Sequence, residues 1–216
     1  MASAAVEILK KQMREKFPQA HALRQEPATE PMEGGTLFDA KMFPIGAISE
    51  VVPAGKFSGI SLLVAGLLEN EALEAAGGFR IVLVDGADGF DPASFSNDAC
   101  GRILWVRCRC AMEMMKAADL LLHDGNMPFV LLDAMGLDSR DLAKIPASSW
   151  WRLRQVAERT GCRLVVMSTK PVVPCSTVKL LLTAELKLED FDKERGELLG
   201  RLEVSNLNNQ ISRRSG

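Results

Sequence analysis

The sequence predicts an α/β domain with a mostly parallel sheet flanked by helices and a C-terminal antiparallel β-hairpin. Three observations lead to this fold class. Short, almost wholly apolar segments alternate with helical ones, which is typical of strands that are covered on both faces. Glycines follow the helical segments, where helices commonly end. Near the C-terminus the hydrophobic period changes to two, which indicates strands with one face in solvent.

Composition and charge narrow the class of protein. The chain has 216 residues, of which 47% are hydrophobic and 25% charged, and its formal net charge is −2. This is typical of a globular domain and lacks the basic excess of non-specific nucleic-acid binders. The longest charge-free apolar run, residues 57–68, is too short to cross a bilayer. No apolar signal segment opens the chain and its cysteines contain no CxxC pair, so we expect a cytoplasmic protein with no metal, no other cofactor and no membrane contact.

The chain divides into four predicted segments. Residues 1–18 predict an amphipathic helix, and residues 19–36, with their prolines and adjacent glycines, an irregular linker. The core domain covers residues 37–208, and the polar residues 209–216 form a flexible tail. The apolar face of the N-terminal helix consists of Val6, Leu9, Met13 and Phe17.

The core begins with a strand, a helix and a second strand. Residues 45–52 alternate in hydrophobicity and end at a turn that contains Pro53 and Gly55. Residues 59–76 are strongly apolar and precede two glycines, which predicts a buried helix. Residues 79–85 are almost continuously apolar, as expected for a strand inside a parallel sheet.

The same alternation continues to the end of the core. Strands are predicted at residues 103–106, 129–133 and 164–167, and helices at residues 111–123 and 149–160. In the first of these helices, we expect three methionines to pack against the sheet, namely Met112, Met114 and Met115. Residues 179–188 and 197–204 predict the two arms of the hairpin, on either side of a charged loop at residues 189–196.

Ligands of parallel α/β sheets bind beyond the carboxyl ends of the strands. The turn after residue 52 lies between a strand and a helix, which is the setting of a phosphate-binding loop, GxxxxGK[ST]. Ser58, Gly59 and Ser61 match this motif, but Ala54 replaces its first glycine and Ile60 its lysine. Because isoleucine cannot neutralise a triphosphate, a structural turn is favoured over a weak phosphate site.

Two further strand ends carry aspartates. Asp85, Asp88 and Asp91 lie beside glycines, where carboxylates either bind a divalent metal or cap backbone N–H groups, and capping is the favoured interpretation. Asp133 closes an apolar strand. At such a position an aspartate either holds a magnesium-bound water, as in P-loop enzymes, or caps the following turn.

Arginines cluster in and after the predicted helix 149–160, namely Arg152, Arg154, Arg159 and Arg163. A nucleic-acid-binding stripe and a solvated helix face are both compatible with this pattern, and the negative total charge favours the solvated face. Arg152 and Arg159 share a face of the helix, so any phosphate contacts are expected from these two residues.

Several short segments, taken in order, resemble the RecA superfamily. They are residues 43–51 (FPIGAISEV), 84–92 (VDGADGFDP), 129–137 (FVLLDAMGL) and 198–208 (LLGRLEVSNLN). Three more segments are similar to the ImuA family, the RecA-like partners in bacterial mutagenic translesion cassettes. They are the lysine-less turn at residues 58–62 (SGISL), the helix at residues 151–161 (WRLRQVAERTG) and the later residues 174–180 (PCSTVKL).

The resemblance implies a RecA-like domain without catalytic residues. The family's P-loop lysine falls on Ile60, and its water-activating glutamate falls on Ala87. The implied function is an interaction module in bacterial SOS DNA-damage tolerance and translesion synthesis. The alternatives are a weak single-stranded-DNA-binding RecA paralogue and a residual ATP-binding regulator. The positions that still match a nucleotide site are Gly55, Ser58, Gly59, Ser61, Asp85 and Asp133.

The resemblance also implies protein partners. In RecA-like proteins an N-terminal segment contacts a neighbouring subunit. We therefore expect Val6, Leu9, Met13 and Phe17 to bind a second copy of the chain, a translesion polymerase-like protein or RecA, although packing on the chain's own domain is equally compatible. The loop between residues 167 and 178 is shorter than the DNA-binding loop of RecA, so weak or no DNA binding is expected.

Overall fold

The structure of the protein is a computed structural model that describes residues 42–55, 59–68, 81–184, 186–193 and 195–207. The predicted N-terminal helix, the linker and the tail lie outside these residues. So does the end of the predicted helix at residues 59–76.

Seven strands and six α-helices are present in the described residues. The strands are β1 (Ile48–Pro53), β2 (Ile81–Asp85), β3 (Ile103–Arg107), β4 (Phe129–Asp133), β5 (Arg163–Met167), β6 (Val178–Ala184) and β7 (Leu202–Asn206). The helices are α1 (Ile60–Leu68), α2 (Asn97–Cys100), α3 (Ala111–Asp124), α4 (Ser139–Ala143), α5 (Ala147–Thr160) and α6 (Arg195–Leu199). Short 3₁₀ helices cover Pro92–Ser94 and Leu188–Asp192.

The strands form one sheet in the order β3-β2-β4-β5-β1-β6-β7. Neighbouring strands are parallel throughout, except that β6 and β7 are antiparallel. The predicted fold class, a mostly parallel sheet flanked by helices with a C-terminal antiparallel hairpin, is thus confirmed. Because the first six strands run in the same direction, the turns that follow β1, β2 and β4 all lie at the carboxyl ends of the strands, hereafter the carboxyl edge of the sheet.

Helices cover both faces of the sheet. On one face, α3 and α5 bury Met114, Leu122 and Trp150 against the strands. On the other face, α1 buries its apolar residues, among them Leu63 and Leu67. The strands in the middle of the sheet are buried along almost their whole length, which is why their sequences are apolar runs without alternation.

The connection inside the hairpin differs from the prediction. Residues 197–199, predicted as part of a strand, belong to α6, and β7 begins only at Leu202. Leu198 and Leu199 are partly buried against the core that contains the apolar residues of α1. This tertiary packing favours a helical turn over a strand at residues 197–199. The connection is anchored by Asp190, which accepts a hydrogen bond from the Lys187 N–H and forms ion pairs with Lys193 and Arg201.

Strands β5 and β6 flank β1 and are joined by residues 168–177, hereafter the crossover. Both strands run parallel to β1, so the crossover has to return from the carboxyl edge of the sheet to the opposite edge. It does so without a helix, and Val173 and Cys175 are buried among the residues below α3 and α5. In the described part of the chain, no helix has the length and apolarity needed to span a membrane.

Candidate functional site

The turn after β1 lies between a strand and a helix, as a phosphate-binding loop does. Ile60, which stands where the motif has its lysine, belongs to the hydrophobic core. Ile60 is only 5% exposed and packs with the apolar residues of α1. Gly55 and Ser61 are exposed, whereas Ser58 lies outside the described residues. The turn is held to the hairpin, since the Ala54 N–H donates to the Leu182 carbonyl at 2.8 Å. The turn therefore offers a hydroxyl at Ser61 but an aliphatic side chain where a triphosphate needs a cation.

Gly59 is required by the fold of this turn. Its φ of +63° lies in the left-handed region, which disfavours any side chain. A Cβ atom at this position would also approach Leu202 Cδ2 on β7 to 2.7 Å. The apolar side chains of the hairpin thus occupy the space beside the turn, so packing explains this glycine without a ligand.

Asp85, at the carboxyl end of β2, holds the following loop in place. The carboxylate is 1% exposed. Its Oδ1 accepts hydrogen bonds from the Ala87 and Gly89 N–H groups at 3.3 and 3.0 Å. Its Oδ2 accepts from the Phe90 N–H at 2.8 Å and the Trp105 indole N–H at 3.2 Å. Four donors surround the two oxygens, so this geometry is that of a buried cap.

The other two aspartates of this loop, Asp88 and Asp91, bind different partners. Asp88 pairs with the Arg107 guanidinium at 2.6 Å, and the hydrogen bond from Arg107 lowers the pKa of Asp88. Asp91 caps the 3₁₀ helix at Pro92–Ser94 by accepting from the Ala93 N–H. The three carboxylates do not converge, and the described residues contain no group of three or more His, Cys, Asp or Glu side chains placed to hold a metal ion.

Asp133 lies beside Asp85 in the register of β4 and β2 and has a different environment. Burial raises the pKa of Asp133, and the negative charge of Asp85 raises it further. The opposing effect comes from the Met135 N–H, which donates to Asp133 Oδ1 at 2.9 Å. Asp133 thus caps the turn after β4 and retains one oxygen with no described donor.

Ala87 stands where the predicted resemblance to the RecA superfamily would place a glutamate, and it packs against the loop after β4. Ala87 lies against Gly136, and a Cβ atom on Gly136 would approach the Ala87 methyl group to 2.7 Å. Gly86 is equally confined, since a Cβ atom there would meet the Asp133 carbonyl at 2.9 Å. The loops that follow β2 and β4 therefore touch each other at the carboxyl ends of these strands.

Sequence reasoning missed a buried carboxylate on β1. Glu50 is 0% exposed, and its Oε1 accepts hydrogen bonds from the Val172 and Val173 N–H groups of the crossover. Its Oε2 accepts from Lys179 Nζ on β6 at 2.8 Å, and the same ammonium donates to the Val173 carbonyl. The available signal was a glutamate inside a mostly apolar strand, directly after Ser49.

The arginines of α5 do not form one stripe. Arg152 makes two hydrogen bonds to the Asp119 carboxylate on α3, and Arg154 donates to the Cys175 carbonyl of the crossover and lies over the Trp151 ring. Arg163, on β5, donates to the Phe43 carbonyl. Of the two arginines predicted to contact phosphates, Arg159 is exposed and Arg152 is an ion-pair partner.

A groove of about 500 Å³ runs between α3 and α5, hereafter the α3–α5 groove. Met112, Lys116 and Leu120 line it from α3, and Ser149 and Arg152 from α5. The prediction that all three methionines pack on the sheet is wrong for Met112, which is 56% exposed, because the face of α3 that meets the sheet is the one carrying Met114 and Met115.

The four residues predicted to bind a partner, Val6, Leu9, Met13 and Phe17, lie outside the described residues.

No protein-family model matches this chain, and no curated protein is significantly similar to it. Function therefore has to be inferred from the fold and from the chemistry of its edge and surface.

Proposed function

We propose that the chain is a RecA-like domain without ATPase chemistry, which acts as a protein-interaction module in bacterial SOS DNA-damage tolerance and translesion synthesis. The family and the cellular process come from the resemblance of the short segments named above. The molecular role, binding proteins instead of hydrolysing a nucleotide, is supported by the carboxyl edge of the sheet.

The observation that carries the proposal is the burial of Ile60. Phosphoryl transfer depends on positive charge around the β- and γ-phosphates and on a group that orients or activates the nucleophile. At the position of the cation stands an aliphatic side chain that is 5% exposed. At the position of the activating carboxylate stands Ala87, which packs on Gly136. Neither an isoleucine nor an alanine side chain can supply the charge that phosphoryl transfer needs at these two positions.

The crossover supports weak or no DNA binding by the loop that binds DNA in RecA. Glu50 accepts the N–H groups of Val172 and Val173, and Arg154 donates to the Cys175 carbonyl. These bonds fasten the middle of the crossover to the sheet and to α5. Because these backbone groups already have hydrogen-bond partners, few are free to bind a nucleic-acid strand.

Isothermal titration with Mg-ATP tests the catalytic half of the proposal. We expect no binding tighter than about 1 mM, which corresponds to about 4 kcal/mol, and no ATP hydrolysis. The control is Ser61→Ala, because Ser61 is the exposed hydroxyl of the turn and its removal should change nothing. Micromolar binding that is lost in Ser61→Ala would contradict the proposal and favour an ATP-binding regulator.

The interaction half is tested with purified proteins. The immobilised full chain is exposed in turn to RecA and to a translesion polymerase-like protein from the same organism, and surface plasmon resonance measures binding with and without ATP. We expect saturable binding of at least one of them, with the same affinity in both conditions. Failure of both to bind would contradict the proposed process.

A further inference from the structure

We propose that the α3–α5 groove binds an amphipathic helix of a partner protein that carries carboxylates beside its apolar face. This inference rests on the proposed function as an interaction module and assigns to it a surface and a partner chemistry.

The helix α3 has a second apolar face that nothing in the described part of the chain covers. One face, with Met114, Ala118 and Leu122, is buried against the sheet. The groove face has Met112, Lys116 and Leu120 at four-residue spacing, and Met112 and Leu120 are 56% and 72% exposed. Methionine adapts its shape to different partners, and exposed apolar side chains grouped in a groove are typical of binding surfaces.

The dimensions of the groove suit a helix. Met112 and Leu120 are eight residues apart on α3, which at 1.5 Å per residue is about 12 Å, or two helical turns. The volume of about 500 Å³ extends across to Ser149 and Arg152 on α5. The two walls are joined by the ion pair between Arg152 and Asp119, so the groove is formed before a partner arrives. Amphipathic helices bind such grooves with apolar side chains at positions i, i+3 or i+4, and i+7.

The charges that face the groove call for an acidic partner. Lys116 lines the groove between Met112 and Leu120 on α3, and in the described part of the chain its ammonium pairs with no carboxylate. The carboxylate of Asp119 is already neutralised by Arg152. At the Ser149 end, the first turn of α5 contains no acidic residue and its N-cap, Pro146, makes no side-chain cap, so neither of them compensates the positive end of the helix dipole.

The same charges disfavour the other possible occupants. A second copy bound about a two-fold axis would bring Lys116 towards its own symmetry mate. The chain's N-terminal segment, residues 1–18, contains four Lys and Arg residues against two Glu, so its net charge has the same sign as Lys116. A nucleic acid would match the charge but would leave Met112 and Leu120 in contact with phosphates and water.

The test uses the full chain and two labelled peptides of 18 residues. Both place leucine at every third or fourth position of a helix, and their remaining residues are alanine with glutamate in one peptide and alanine with lysine in the other. Fluorescence anisotropy measures binding at physiological salt. We expect the leucine–glutamate peptide to bind and the leucine–lysine peptide to bind at least tenfold more weakly.

Three variants locate the binding. Leu120→Asp should weaken the binding of the leucine–glutamate peptide at least tenfold, as expected for the loss of a central apolar contact. Lys116→Glu should reverse the preference between the two peptides. Ile45→Asp is the matched control, since Ile45 is 66% exposed, does not line the groove, and should leave binding unchanged. Circular dichroism confirms that each variant is folded.

Several results would overturn the inference. They are the absence of acidic-peptide binding up to about 1 mM, equal binding of both peptides, and binding that Leu120→Asp does not change. A change in the sedimentation of the peptide-free protein on Leu120→Asp would assign the groove to a second copy instead. The proposed function fails on a different measurement, micromolar Mg-ATP binding, so the two failures are distinguishable.

Discussion

Lys179 on β6 donates a hydrogen bond to Glu50 on β1 at 2.8 Å, and this ion pair holds the crossover against the sheet. A connection without a helix brings its own backbone N–H groups into the interior, where each unpaired one costs about 1–3 kcal/mol. Glu50 accepts two of them, from Val172 and Val173, and Lys179 balances the charge and binds the Val173 carbonyl. The pair thus replaces the hydrogen bonds that a crossover helix would make for itself.

Removing the carboxylate should therefore be costly. Glu50→Ala leaves the Val172 and Val173 N–H groups without their acceptor and the Lys179 ammonium without its carboxylate. We expect a loss of about 3–5 kcal/mol in the free energy of unfolding, measured by urea denaturation. The double variant Glu50→Gln/Lys179→Met should lose less than the sum of its single variants, because the two side chains interact directly.

The matched control for this series is Glu158→Ala, at an exposed glutamate on α5. Its free energy of unfolding should change by no more than about 0.5 kcal/mol. Additive losses in the double variant, or a Glu50→Ala effect as small as that of the control, would show that the ion pair does not hold the crossover.

Gly59→Ala should destabilise the turn after β1. The substitution places a Cβ at a φ of +63° and within 2.7 Å of Leu202 Cδ2, so we expect a loss of about 2–4 kcal/mol in thermal or urea unfolding. Gly55→Ala in the same turn is the control, since a Cβ there meets nothing within 4 Å. Combining Gly59→Ala with Leu202→Ala should cost less than the sum of the two, and full additivity would contradict the described contact.

The Asp190 cluster predicts a dependence of stability on acid pH. The hydrogen bonds from Lys193 and Lys187, with the charge of Arg201, hold the pKa of Asp190 at about 2. A lowered folded-state pKa stabilises the protein above the ordinary aspartate value near 4, and this contribution is lost as the pH falls to about 2. Asp190→Asn should therefore be less stable than the parent at pH 6 and approach it at pH 2.

Asp192→Asn is the control for that series, because Asp192 is exposed in the same 3₁₀ helix. Urea unfolding at several pH values between 2 and 6 measures the difference from the parent. A difference that stays constant over this range would show that Asp190 does not contribute through its charge.

The raised pKa of Asp133 predicts a pH dependence of stability with the opposite sign. Its pKa is raised by burial, so the folded state prefers the neutral acid and loses stability as the pH rises above the ordinary aspartate value near 4. Asp133→Asn keeps an oxygen for the Met135 N–H without the charge, and we expect its stability relative to the parent to increase from pH 4 to pH 7. Urea unfolding at the two pH values measures this, and a relative stability that falls over the range would contradict the raised pKa.

Much of the fold could be read from periodicity and end signals. β4 and α3 lie within one residue of their predicted bounds, because a continuous apolar run and a helix ending at glycine are local features. The short helices α2 and α4 were not predicted, since four or five residues carry no period. The hairpin arm predicted at residues 197–204 is a strand only from Leu202, because a short apolar stretch such as residues 197–199 fits either a strand or a helical turn.

The sequence by itself determined which chemical groups stand at the edge of the sheet. Isoleucine at position 60 and alanine at position 87 are facts of the chain, and the fold class follows from hydrophobic patterns that local propensity and burial enforce. Only the tertiary structure decided what those groups face. It buries Ile60, surrounds Asp85 with four N–H donors, joins Glu50 to Lys179 across 129 positions, and turns Met112 towards solvent. The bond from Trp105 to Asp85 and the pair of Glu50 with Lys179 join residues far apart in the chain, so no local period encodes them.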